Sequence, residues 1–217
     1  MRTTLLMLAM LCTAAGAVAS DGHGFFWNDV DETDDGCRRG FYCGLGVSRI
    51  EFDPDLDARS IFSRKGIDLD GYRDGEMIIL GWGFGPHFTS EIRLMTFVAG
   101  GRTADVKPLG AVFAWDSMMP ITDHGRLRPF LAAGFGGLAL IYDSRSETDR
   151  GNYAVTGNFG GGLLMRLLPR TYLALDVRFV LLNFEREQVN IDDDDDTIHI
   201  GGGGSMHYLT LSLTYDF

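Results

Sequence analysis

Basic residues are scarce in this sequence. Nineteen Lys and Arg stand against 30 Asp and Glu, a formal net charge of -11 over 217 residues. That balance argues against nucleic acid as a partner and against docking on anionic lipid through a basic patch. Long apolar runs are equally scarce. Beyond the first 19 positions no stretch reaches the about 20 apolar residues of a spanning helix, so any insertion into a bilayer must be by strands. Cysteine is limited to Cys12, Cys37 and Cys43. No glycine-rich phosphate loop precedes a helical pattern, so no nucleotide or other cofactor is expected.

What is present begins with an export pattern. Arg2 precedes an uncharged run over 5–18, and Ala17-Val18-Ala19 supplies the small residues a signal peptidase accepts, so residues 1–19 read as a secretory signal cut before Ser20. Met10 and Leu11 precede Cys12 where lipidation needs small residues, which disfavours a lipoprotein. Cleavage leaves 217 - 19 = 198 residues and, with Arg2 removed, a charge of -11 - 1 = -12. That length suits one domain. Cys37 and Cys43 fit a small disulfide loop, a metal pair or two free thiols, and the oxidising compartment favours the disulfide.

The most regular stretch is the last, SMHYLTLSLTYDF. Leu209, Leu211, Leu213, Tyr215 and Phe217 fall on alternate positions with Thr210, Ser212, Thr214 and Asp216 between them, a period of two that means a strand. A terminal Phe217, an aromatic two places before it and apolar residues at the next alternating positions resemble the C-terminal signal of bacterial outer-membrane β-barrels. The resemblance implies that the barrel assembly machinery reads these five residues.

Seven further strands precede it. The first, over 41–52, sets Phe41, Cys43, Leu45 and Val47 against Tyr42, Gly44, Gly46 and Ser48. The others are expected over 76–87, 91–99, 107–117, 126–142, 153–167 and 171–184, each alternating bulky apolar residues with small or polar ones. The links 53–75, 100–106, 143–152 and 185–204 are long, whereas 88–90 and 168–170 are tight and 118–125 is intermediate. Outer-membrane barrels put short turns on the periplasmic side and long loops outside, and with the exception of 118–125 these lengths follow that parity. The expected fold is therefore all-β, an eight-stranded antiparallel transmembrane β-barrel in an up-and-down meander over 41–217, preceded by an acidic periplasmic arm over 20–40. The whole mature chain, with RPFLAAGFGG as a central strand, resembles the small barrels of the OmpA transmembrane, OmpX and opacity-protein type. The resemblance implies the outer membrane of a Gram-negative cell. A soluble sandwich or lipocalin-like barrel also alternates, but its outward set would be polar, unlike the runs over 78–84 and 173–181.

Eight strands enclose room for side chains or one small ligand. The pattern directs Glu91, Arg93, Asp116, Arg126, Arg128, Arg166, Asp176 and Arg178 inward, where acids and arginines are expected to neutralise one another as a polar filling. Trp82, Trp115, Tyr153, Tyr172, Tyr208, Tyr215 and Phe217 are expected to form interfacial girdles. The run Asp192 to Asp196 lacks the ligand spacing of a dedicated calcium loop and reads as a solvated, self-repelling segment, with sharing of divalent cations with lipopolysaccharide as a further possibility.

The expected role is structural support of the envelope or surface interaction, by a monomer in contact with lipid and lipopolysaccharide. No catalytic residue, cofactor or metal is assigned, and the loop ligand has no motif to name it. Two alternatives stand beside it. One is a narrow channel for small solutes. The other is a lipid A-modifying enzyme, against which the scattered His87, His124, His199 and His207 and the missing local motif of the deacylases both count.

Overall fold

The computed structural model describes residues 38–64, 67–69, 71–85, 87–101, 109–121, 127–141, 151–168, 170–184, 187–190, 197–200 and 202–217. Eight long strands close into one barrel: β1 (Arg39–Pro54), β3 (Tyr72–Phe84), β4 (Thr89–Val98), β6 (Leu109–Pro120), β7 (Leu127–Ile141), β8 (Gly151–Leu168), β9 (Thr171–Phe184) and β12 (Gly203–Asp216). Each pairs antiparallel with its sequence neighbour, and β12 closes on β1 with Leu45 opposite Leu213. The long strands make an all-β meander in which alternation sends one set of side chains to each face.

The outward set is the apolar one. Leu80, Leu94, Phe113, Phe135, Val177 and Leu211 are all exposed, in a belt that runs around the wall. Water would leave such a belt uncovered, whereas hydrocarbon covers it. Trp115 Nε1 donates to Ser90 Oγ at 2.7 Å on this wall, which satisfies the indole where it meets the membrane interface.

Three features depart from the sequence-based expectation. The link 53–75 contains a helix, α1 (Leu56–Arg64), and a two-residue strand β2 (Ile67–Asp68) that pairs with β5 (Gly100–Gly101). The link after β9 carries its own hairpin, β10 (Glu187–Asn190) with β11 (Thr197–Ile200). The intermediate turn is shorter than it looked, because β6 continues to pair with β7 as far as Pro120 opposite Phe130.

The helix forms for local reasons. Asp55 caps it, its Oδ1 accepting from the Ala58 N–H at 2.8 Å, and Asp57 lies in the first turn where the helix dipole favours an acid. Asp55 Oδ2 also accepts from Gly203 N–H at 2.6 Å, which ties the cap to β12. Ala58 and Phe62, four apart and so on one face, are both buried.

Candidate functional site: the barrel lumen

The inward side chains form three layers along the barrel axis. At the loop end Ile50, Phe52, Phe97, Leu140, Leu182 and Met206 join Ala58 and Phe62 of α1 in one buried apolar cluster. Phe52 packs on Phe97 with centroids 5.3 Å apart, and Phe62 meets Phe184 edge-on at 5.0 Å. This corrects the expectation of a polar lumen. The loop-end half is an apolar core lidded by a helix.

The middle layer is ionic. Arg93 is its centre: Nε donates to Glu91 Oε2 at 2.8 Å, Nη1 donates to Asp176 Oδ2 at 2.9 Å, and Asp116 Oδ2 lies 3.3 Å from Nε. Arg178 lies 3.4 Å from Asp176 Oδ1 and 3.6 Å from Asp116 Oδ2. Asn158 bridges, donating to Asp116 Oδ1 at 2.9 Å while its Oδ1 accepts from Arg178 at 3.4 Å. The Tyr42 hydroxyl donates to Glu91 Oε1 at 2.7 Å. All five charged members are buried, three of them with no exposed surface at all. In that setting each charge depends on its partners, since desolvation alone would make it costly.

Three carboxylates face two arginines there. The third cation is Arg38, whose Nη1 is 3.9 Å from Glu91 Oε1 and whose Nε is 3.5 Å from Asp216 Oδ1. Its guanidinium lies between two rings, 4.3 Å from the centroid of Tyr42 and 4.4 Å from that of Tyr172. Arg38 was expected in the acidic arm over 20–40. The barrel instead begins at Arg39, and Arg38 is buried beneath it.

The third layer, at the end with the short turns, is apolar again, with Met118, Phe130 and Leu164 beside Tyr172. Arg128 is buried and Arg166 half-buried at this end, so neither belongs to the central cluster. Arg126, Cys37 and residues 192–196 lie outside the described residues. Cys43 is half-buried on the outward face of β1.

The C-terminal residues divide. Leu209, Leu211, Leu213 and Tyr215 face outward, but Phe217 is largely covered, stacked on Phe41 at 5.6 Å and edge-on to Tyr215 at 5.3 Å. The girdle expectation fails for Tyr172 and Tyr208, which point into the lumen. Both occupy the inward parity of their strands, a signal available in the sequence. His207 faces outward against the Phe179 ring at 4.7 Å.

Glycines make space for this network. A methyl added at Gly81 would come within 2.2 Å of the Tyr42 ring, while one at Gly157 would meet nothing within 4 Å. Gly81→Ala is therefore expected to push Tyr42 off Glu91 and cost about 1–3 kcal/mol by overpacking. Gly157→Ala is expected to be near neutral. Urea unfolding of the two variants side by side measures the difference.

No family profile matches this chain, and no curated protein sequence matches it. Solved structures do. Neisserial surface protein A superposes with a TM-score of 0.60 at 9% identity, covering 82% of this chain and 97% of that one. The outer membrane protein OprG from Pseudomonas aeruginosa gives 0.50 at 12% identity, covering 84% and 99%. At these identities the likeness is one of fold. The chain has the fold of the small eight-stranded outer-membrane barrels, and its apolar outer belt is the surface such a barrel turns to lipid.

Proposed function

We propose that this protein is a non-conducting barrel that supports the envelope or makes surface contacts through its outer loops. The lumen carries the proposal. A path through it would have to cross the buried Arg93–Asp176–Arg178 layer and then the apolar core under α1. Either barrier alone opposes a hydrated ion, the first by fixed pairing and the second by the cost of removing water from charge.

The chemistry of an enzyme finds little support. His207 lies against Phe179 on the lipid-facing wall, away from the buried carboxylates. The contact with outer-membrane lipid follows from the belt. Binding to lipopolysaccharide, recognition by the barrel assembly machinery, a monomeric state and removal of residues 1–19 belong to the same proposal.

Planar-bilayer recording tests it. The refolded protein is expected to be silent, and so is the Arg93→Gln/Asp176→Asn pair, because the apolar core remains above the neutralised layer. Steady conductance that changes with the pair would make the protein a small channel.

A further inference from the structure

Seven of the eight neighbouring strand pairs in the barrel are joined by a turn or loop, whereas β1 and β12 meet with no connection between them. Their ladder runs from Tyr42 opposite Asp216 at the short-turn end to Pro54 opposite Gly204 at the loop end. Such a ladder opens from its ends, where backbone hydrogen bonds have the least around them. The residues immediately outside β1, Arg38 before Arg39 and Asp55 after Pro54, each reach across to β12 at one of those ends.

Arg38 acts from inside the lumen. Its Nη2 donates to Thr214 Oγ1, its Nε lies 3.5 Å from Asp216 Oδ1, and its Nη1 lies 3.9 Å from Glu91 Oε1. The Tyr42 and Tyr172 rings hold the guanidinium between them, so one side chain ties β1 to β4, β9 and β12. At the same end Phe217 N–H donates to Phe41 O at 3.0 Å. Two glycines shape the seat. Gly40 has a φ of 91°, which favours glycine, and a Cβ at Gly83 would meet the Arg38 carbonyl oxygen at 2.3 Å.

Asp55 acts at the loop end. Its N–H donates to Gly203 O at 3.0 Å and its Oδ2 accepts from Gly203 N–H at 2.6 Å, a reciprocal pair across the seam. Its Oδ1 caps α1 through Ala58 N–H, so helix and seam share one carboxylate. We propose that Arg38 and Asp55 are a pair of clasps that hold the unlinked β1–β12 seam shut, each guarding its own end. Their contacts to β12 join the two ends of the barrel sequence, Arg38 and Thr214 being 176 positions apart, so they form only when the last strand meets the first. This role goes beyond the non-conducting reading, since a conducting barrel would need the same seam shut.

Hydrogen exchange of the full chain in lipid nanodiscs, read amide by amide, distinguishes the two clasps. In Arg38→Met, protection at the short-turn end, Phe217 N–H included, is expected to fall about tenfold, as for the loss of a hydrogen bond to a charged group. Protection over 203–206 is expected to stay within about twofold, because that end is remote from the change. Asp55→Ser keeps an oxygen to cap α1 but has none left for Gly203, so the reverse is expected. Protection falls about threefold over 203–206, the smaller loss of an exposed contact, and holds at Phe217. Gly83→Ala leaves the arginine in the chain but displaces it, and is expected to reproduce Arg38→Met; it carries the test if that variant does not fold. Equal losses at both ends would mean general destabilisation, and undiminished protection at the end whose clasp is removed would mean that the ladder holds by itself. Either result would overturn the proposal.

Discussion

Replacing Arg93 by methionine is expected to destabilise the barrel by about 3–5 kcal/mol, the usual cost of removing one partner from a buried charge network. The side chain is long enough for methionine to fill much of its volume, so the loss is electrostatic more than steric. What remains is Glu91, Asp116 and Asp176 facing Arg178, with Arg38 reaching Glu91 only at 3.9 Å. Urea unfolding followed by tryptophan fluorescence in lipid vesicles measures the change. The triple variant Arg93→Met/Glu91→Gln/Asp176→Asn is expected to recover most of the loss, because the penalty lies in the unpaired carboxylates and not in the missing arginine. If Arg93→Met cost less than about 1 kcal/mol, as for solvent-exposed pairs, the layer would be hydrated and the non-conducting reading would weaken with it.

The second large effect concerns the outer wall. Leu211 faces outward near the middle of β12, with Tyr215 toward the periplasmic end and His207 toward the loops. Leu211→Arg is expected to cost about 2–4 kcal/mol, the range for arginine at the bilayer midplane. Glu51→Arg, on the same wall but nearer the loop end, where Glu51 stands opposite His207 and already carries a charge, is expected to cost no more than about 1 kcal/mol. The depth dependence is the informative part. A soluble barrel would tolerate both changes within about 0.5 kcal/mol, since neither side chain packs in its interior.

Most of the wall was legible before the structure. A period of two needs no tertiary information, and β9 runs over Thr171–Phe184 as the alternation indicates. Parity also sends Glu91, Arg93, Asp116, Asp176 and Arg178 to one face, although alternation says nothing of which acid meets which arginine. The misses have separate causes. Helix α1 is short and lies in a charged segment, where only the Asp55 cap and the Ala58–Phe62 spacing mark it. Arg38 stands outside the alternating run, so nothing in the pattern distinguished it from the arm. Tyr172 and Tyr208 depart from the girdle because strand parity, not aromatic identity, decides which face a side chain takes.

The apolar loop-end core was missed for a different reason. Charge marks the ionic inward residues but not the equally inward Ile50, Met77, Ile79, Met95, Leu182 and Met206, which carry no polar signature and share the same parity. By itself the sequence determined which residues face lipid and which face the lumen, because that division depends only on local alternation along each strand. Only the closed barrel decided how the inward set is layered. Stagger between neighbouring strands brings residues 83 positions apart, Arg93 and Asp176, into one hydrogen bond. That stagger is a property of closure, not of any strand alone.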